Sequence, residues 1–180
     1  MIKTVCFIIT GLSLLYCERS TTSNRDNTQQ EKIDSSAIDP QNFFTLANAE
    51  KILGQQAHLS DSASIVEAEV STFKCSFTAN AEDEKTGKTG NIYLMLEQYA
   101  QVSSAQKVYS SIKASNADHA GVKELHDLGD EAYFHSDGEN FLFILVRKGS
   151  RILRMKVNKI TSTTSVSEFN QLAAEIFDHL

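Results

Sequence analysis

A short glycine-containing segment is the first place where the sequence could hold a nucleotide. Thr86-Gly87-Lys88-Thr89 matches the end of a phosphate-binding loop, but Glu82 and Asp83 stand where that motif needs its first glycine. Carboxylates there would repel a phosphate, and no helix is predicted after the segment to add its N-terminal dipole. The segment therefore predicts a charged hairpin tip.

Residues with metal-binding side chains occur in two groups, and neither has the spacing of a metal site. Asn116, Asp118 and Asp127 partly match a calcium loop. However, Ala120 offers no side-chain oxygen, and Asp127 is too short to replace the bidentate glutamate. The second group lacks an i,i+4 pair and a nearby second cysteine, as a zinc site would need. It consists of His119, His126 and His135.

Nucleophilic catalysis has no better support in the sequence. No serine lies in a sharp glycine-flanked elbow, and Gly149-Ser150 fits a hairpin turn instead. Cys75 shares a predicted strand face with two phenylalanines, where a buried thiol is inert. Asp130 and Glu131 are adjacent in the sequence, so in a strand they would point in opposite directions. We therefore expect a protein that is not an enzyme and needs no cofactor or metal.

A basic segment near the C-terminus is the best candidate for a binding surface. In the predicted strand, Arg154 and Lys156 lie on the opposite face from Leu153, Met155 and Val157. That face could bind an anionic lipid head group, a glycan or a partner protein. The alternative is an exposed face whose charges prevent edge-to-edge pairing of sheets. The candidate binding residues are Tyr133, His135, Arg154 and Lys156, and the basic segment comprises Arg147, Lys148, Arg151, Arg154, Lys156 and Lys159.

The N-terminus predicts export and lipid attachment. Lys3 precedes a short apolar run, Val5 to Tyr16, which has the length of a signal-peptide core. Cys17 closes this run and a polar stretch follows, which resembles a bacterial lipobox, although Tyr16 replaces the usual small residue. We predict a signal peptide at 1–16 and a diacylated Cys17 on a bacterial membrane, preferably the outer one. The alternative is an uncleaved signal anchor.

The composition of the chain limits its partners and its domain number. The chain has 180 residues, 41% of them hydrophobic, and a net charge of −6. The acidic balance argues against nucleic acid as a partner. Residues 17–39 carry the lipidated cysteine and are polar enough to form a flexible tether. Residues 40–180 then predict a single globular domain.

Periodicity and turn residues within 40–180 predict an α+β fold. Alternating apolar residues and glycine-containing turns give about five strands, which close turns make antiparallel. Three amphipathic helices have capping signals at Thr45, Ser103 and Ser165. Asp39 before Pro40 is an alternative start signal for the first helix. The predicted order is α-β-β-α-β-β-β-α, with the helices on one face of the sheet and the other face at least partly open. We expect the C-terminal helix to cover the core and Cys75 to be buried.

The spacing of several small motifs is similar to that of uncharacterised bacterial envelope lipoproteins. The matching segments are Leu46 to Gly54, the strand with Cys75, Leu128 to Ala132, and Leu172 to Ile176. This resemblance implies a PsbP-like α+β fold and no assigned activity.

We expect the chain to be a lipid-anchored envelope protein, with its domain in the periplasm or at the cell surface. Its function would be to bind an envelope protein or an anionic ligand through the open sheet face. The alternative is a carrier that holds a small apolar ligand between a helix and the sheet.

Overall fold

The computed structural model describes residues 44–179. The predicted signal peptide, Cys17 and the whole of the predicted tether lie outside the described residues. The elements in chain order are α1 (Leu46–Leu53), β1 (Ala57–Val66), β2 (Val70–Ala79), β3 (Asn91–Tyr99), α2 (Val102–Asn116), β4 (Val122–Leu125), β5 (Glu131–Ser136), β6 (Phe141–Lys148), β7 (Arg151–Asn158) and α3 (Val166–Asp178). No helix within the described residues is long and apolar enough to cross a membrane.

The strands form one open antiparallel sheet in the order β1-β2-β3-β7-β6-β5-β4, which confirms the α+β class and the antiparallel sheet. The sheet has seven strands in this order, so the prediction of about five was too low. The two missed strands are the edge strands β1 and β4. β1 is exposed along most of its length and carries polar residues on both faces, and β4 has only four residues. Neither gives the alternation that marks a half-buried strand.

The helices cover both faces of the sheet, which corrects the prediction that they pack on one face. α1 and α3 pack with one face, here called the α1/α3 face, in the larger hydrophobic cluster. α2 covers part of the opposite face, here called the α2 face. Its Ala105 and Tyr109 pack with Tyr133, Leu145 and Ile152 in a second cluster. Apolar side chains project from both faces of β6, so both faces need a cover.

The α1/α3 face is apolar across the middle of the sheet. The pairing of β2 with β3 sets Cys75 opposite Leu94 and Phe77 opposite Ile92, and all four side chains are buried. This confirms the predicted strand face and the burial of Cys75. The predicted apolar face of α3 is also confirmed over the described residues, where it buries Phe169, Leu172, Ala173, Ile176 and Phe177.

Local capping signals fix two of the three helix starts. The Thr45 side chain accepts a hydrogen bond from the backbone N–H of Asn48, and Gly54 ends α1 with a left-handed backbone. Ser165 caps α3 in the same way by accepting from the backbone N–H of Glu168. The prediction for α2 was wrong, because its N-cap is Gln101, which makes no side-chain capping bond.

Arg147 does not belong to an exposed basic segment. Its side chain is 6% exposed and is held by two carboxylates. Nη1 lies 2.8 Å from Asp130 Oδ2, and Nε lies 2.6 Å from Glu131 Oε2. The same Asp130 oxygen accepts from the backbone N–H of Gly149 at 2.8 Å. Adjacent carboxylates, expected to diverge, therefore converge on one guanidinium, since Asp130 precedes β5 and only Glu131 belongs to the strand.

Candidate functional site

α2 leaves one corner of the α2 face uncovered. The helix lies over the aromatic and aliphatic side chains of β5, β6 and β7 and ends at Asn116. Past this end, a cavity of about 680 Å³ opens between the loop after α2 and the sheet. We call it the α2-end cavity. Its lining residues are Asn116, Asp118, His119, Ala120, His135, Phe141, Phe143 and Lys156.

Strand register places the sheet side of this cavity. His135 of β5 pairs with Phe143 of β6, and Phe143 pairs with Lys156 of β7. Because these three residues form one row across antiparallel strands, their side chains project from the same face. Phe141 lies two residues before Phe143 and therefore shares that face. The sheet thus supplies a cation, an imidazole and two aromatic rings.

The loop side of the cavity is held by the pairing of β4 with β5. Val122 pairs with His135, and the Ser136 backbone N–H donates to Gly121 O at 3.3 Å. Gly121 has φ +85°, and a Cβ atom there would lie 1.9 Å from Ser136 O. Only glycine permits this approach without a shift of the backbone. Gly121 therefore positions the loop that carries His119 against β5.

Ring contacts link the loop to the sheet inside the cavity. The His119 and His135 ring centroids are 5.7 Å apart. The His135 ring meets Phe141 edge to face at 4.8 Å. The Lys156 ammonium lies 5.4 Å from the centroid of the Phe141 ring, within range of a cation–π interaction. The floor is thus aromatic, with polar nitrogen atoms around it.

Four of the polar lining side chains make no hydrogen bond or ion pair to any described residue: the acceptor Asp118, and His119, His135 and Lys156. His135 is only 7% exposed, but its ring nitrogens are not among the buried atoms that lack a partner, so solvent reaches them from the cavity. A ligand with oxygen acceptors could bond to the two histidines and Lys156.

The four candidate binding residues share the α2 face, but only His135 and Lys156 line the cavity. Tyr133 is completely buried, with its ring 6.3 Å from that of Tyr109 of α2. Arg154 is paired with Glu97 through Nη2 and Oε2 at 2.5 Å. The expectation of an open face that displays Tyr133 is therefore wrong, because α2 covers this residue.

The polar groups under α2 are not all satisfied. The Tyr133 hydroxyl and Arg154 Nε are buried without a hydrogen-bond partner among the described residues. Burial raises the pKa of Tyr133, opposed by the Arg154 charge and the neighbouring Asn116 side chain. Burial, with an added effect from the Glu97 carboxylate, raises the pKa of Tyr99 to about 12. These phenols therefore stay neutral at physiological pH.

The remaining sequence motifs lie elsewhere in the structure. Thr86 donates to Asp83 Oδ1 from its backbone and hydroxyl groups at 2.8 and 2.7 Å, and Ser162 donates to Asp83 Oδ2 at 2.6 Å. Led by Ser162, these bonds lower the pKa of Asp83 to about 2. The predicted hairpin tip thus connects to the loop before α3. Within residues 44–179, no three His, Cys, Asp or Glu side chains are grouped to hold a metal ion.

A second cavity lies at the other face of the same sheet edge. It measures about 410 Å³ and is lined by apolar side chains from β5, β6 and the start of α3, together with polar loop residues. We call it the β4-edge cavity. Its apolar lining residues are Phe134, Leu142, Ile160 and Val166.

Comparison with protein-family models, curated proteins and solved structures gives no significant match. The fold class therefore rests on the observed architecture: an α+β domain with three helices and an open antiparallel sheet over the described residues. The site is a cavity with an aromatic floor and unpaired polar groups.

Proposed function

We propose that this chain is a non-enzymatic lipoprotein of a bacterial envelope that binds an envelope ligand in the α2-end cavity. Cys17 would anchor the chain to a bacterial membrane, and we favour the outer membrane. The tether would hold the domain in the periplasm or at the cell surface. The domain would have the PsbP-like α+β fold of the uncharacterised envelope lipoproteins that the sequence resembles.

One observation carries the binding role. His135 is buried at the cavity wall, and it has no hydrogen-bond partner among the described residues. Binding pockets commonly combine apolar walls with a few convergent polar groups, and about 680 Å³ is an ordinary size for one. A ligand in the cavity could form a hydrogen bond with the His135 ring, which makes none to a described residue.

The same residues do not support catalysis. Neither His119 nor His135 has a hydrogen bond to a hydroxyl, thiol or carboxylate among the described residues. A nucleophile activated by a histidine base needs such a contact, or one close to it. Cys75 lies on the α1/α3 face, and burial raises the pKa of its thiol to about 11. It is therefore protonated and has no access to the cavity.

Blocking the cavity tests the binding role. The chain can be isolated from bacterial envelopes in mild detergent and weighed by native mass spectrometry, which we expect to reveal a bound small molecule. Ala120 lines the cavity from its exposed loop, so Ala120→Trp should place an indole where the ligand would lie and abolish the added mass. Ala117→Trp is the control, because Ala117 is exposed but does not line the cavity. An equal added mass in Ala120→Trp and the parent, or none in the parent, contradicts the proposal.

The anchor is tested separately. Cys17→Ser should release the chain from the membrane fraction or block its processing, because it removes the thiol that accepts lipid. An unchanged mass and membrane fraction in this variant would contradict the lipoprotein assignment.

A carrier of a small apolar ligand is a second candidate, favoured by the β4-edge cavity. This cavity lies between the start of α3 and the sheet, and Phe134 and Leu142 contribute to its lining. Val166 is 44% exposed at its rim, so Val166→Trp should block it. Native mass spectrometry would favour the carrier if the bound mass were lost in Val166→Trp and kept in Ala120→Trp.

A further inference from the structure

We infer that the ligand of the α2-end cavity is a carboxylic acid carried on a six-membered ring, a monoanion with one apolar face. This inference rests on the proposed function, because it names the ligand class of the same site. Four features of the cavity lead to it: its cation, its opposing negative charge, its aromatic floor and its buried histidine.

The cation selects against positively charged ligands and for an anion. Lys156 is the lysine that lines the cavity, and no described residue forms an ion pair with it. Its ammonium already occupies the cation–π position over Phe141, at 5.4 Å from the ring centroid. A ligand ammonium would have to displace it and would be repelled by it. An anion instead meets a donor with no other acceptor.

The opposing charge limits how negative the ligand can be. Asp118 lines the same cavity, and the C-terminal end of α2 at Asn116 adds the partial negative charge of a helix terminus. The lining includes no arginine and no helix N-terminus, which are the usual devices for holding a phosphate dianion. A carboxylate carries a single charge, which the one ammonium can match.

The aromatic floor selects a ring over a flexible chain. Phe141 and Phe143 are alternate residues on β6, so their side chains start about 7 Å apart along the strand. Contact with Tyr133, at a centroid distance of 5.8 Å, holds the Phe143 ring in place. A six-membered ring is wide enough to contact both phenylalanines at once. Its ordered shape also loses less conformational entropy on binding than an acyl chain does.

The buried histidine supplies the orientation. His135 is 7% exposed and lines the cavity, in a row with Phe143 and Lys156. With the ring of the ligand on the phenylalanines, one carboxylate oxygen would accept from Lys156 and the other from His135. His119, with its ring 5.7 Å from that of His135, lies on the loop side of the same space.

Four matched probes test the ligand class: benzoate, its neutral analogue benzamide, the cation benzylamine and the dianion phenyl phosphate. Each is titrated into the full chain in detergent, and backbone amide NMR shifts give both the site and the Kd. We expect the largest shifts at residues 116–121, 135, 141–143 and 156. Benzoate should bind at least about tenfold more tightly than each other probe, the difference that one charge-assisted hydrogen bond provides.

Two lysine variants on the same face of the sheet assign the effect to Lys156. Lys156→Met should weaken benzoate by about tenfold and leave benzamide unchanged, because only the anion uses the ammonium. Lys74→Met is the control: this lysine lies on β2, where it pairs with Asp61 at 3.7 Å, outside the cavity lining. It should change neither affinity, and the unfolding curves of both variants verify that they fold.

The outcomes separate the ligand class from the proposed function. If the probes bind in the cavity without a preference for benzoate, or if Lys156→Met binds benzoate as the parent does, the ligand class is overturned and the binding role stands. If none of the probes shifts the cavity amides and Ala120→Trp also leaves the native mass unchanged, both are overturned.

Discussion

The two faces of the sheet are made by the same strands, yet they bury different kinds of side chain. The α1/α3 face joins Ile92, Leu94 and Met155, all fully buried, to the apolar sides of two helices. On the α2 face, the same two strands carry charged residues. Glu97 of β3 and Arg154 of β7 form an ion pair there. One face is a continuous apolar core, and the other combines a smaller cluster of aromatic and aliphatic side chains with charged groups.

The difference between the two faces separates residues that stabilise the fold from residues that could bind a ligand. Burial of apolar surface stabilises a fold, whereas a buried polar group without a partner destabilises it. Among the described residues, the Tyr133 hydroxyl and Arg154 Nε on the α2 face are buried without a partner, and so is Gln55 Nε2 just after α1. Folding alone gives no reason to keep such groups. We infer that the α1/α3 face stabilises the domain and that the α2 face serves binding.

The largest effect should come from the α1/α3 face. Phe169 of α3 is completely buried, so Phe169→Ala should lower the free energy of unfolding by about 3–5 kcal/mol. Val166→Ala, at a 44% exposed position of the same helix, should change it by less than about 0.5 kcal/mol. Urea unfolding measures both. Equal losses in the two variants would show that this face is not the main source of stability.

The loop that shapes the cavity should show an intermediate effect. Gly121→Ala places a Cβ atom 1.9 Å from Ser136 O at a φ of +85°, and should cost about 1–3 kcal/mol and weaken benzoate. Gly138 has a similar φ of +81° with no atom near its Cβ position. Gly138→Ala should therefore show only the milder cost of a left-handed backbone, about 1 kcal/mol. If the two variants match in stability and binding, Gly121 does not position the loop.

Removal of the unpartnered hydroxyl should be harmless. Tyr133→Phe keeps the ring contacts with Tyr109 and Phe143, so unfolding should cost the same or up to about 1 kcal/mol more than in the parent. Tyr133→Leu, which loses those ring pairs, should be less stable than Tyr133→Phe by about 1 kcal/mol. A clear loss of stability in Tyr133→Phe would mean that the hydroxyl has a stabilising partner.

The smallest effect concerns the thiol on the α1/α3 face. Burial, followed by the Asp61 charge, raises the pKa of Cys75 to about 11. A raised pKa means that the folded state favours the neutral thiol. The resulting contribution to the free energy of unfolding is therefore complete below the pKa of the thiol in the unfolded chain, about 8.5–9. The contribution is lost as the pH rises towards 11. A thiol reagent at pH 8 should label Cys75 only after denaturation, and rapid native labelling would contradict its burial.

The sequence predicted those parts of the fold that depend on neighbouring residues. The caps at Thr45 and Ser165, the face shared by Cys75 and Phe77, and the apolar face of α3 were all confirmed. Each depends on side chains within a turn or an alternating strand, so the periodicity indicates it. β1 and β4 were missed because they are edge strands. Neither has a face that is buried along its length, so neither shows alternating apolar and polar residues.

The candidate site could be predicted only in part. His135 and Lys156 share a face because strand alternation places them there, and the sequence indicates that. The approach of His119 depends on the pairing of Val122 with His135 and on the close contact of Gly121 with Ser136. Register between strands is a tertiary property that no local pattern specifies here. The cover of Tyr133 by α2 is a packing contact between a helix and the sheet, which the local pattern does not specify either.

The division of tasks between the two faces is tested most directly by His135→Leu, with stability and binding measured on the same sample. Because the His135 ring makes no hydrogen bond to a described residue, His135→Leu should lose only the ring contacts with Phe141 and His119, so the free energy of unfolding should fall by no more than about 1 kcal/mol. Benzoate binding should weaken at least about tenfold. A loss of about 2 kcal/mol or more in stability, with benzoate binding unchanged, would instead make His135 a structural residue and contradict the account.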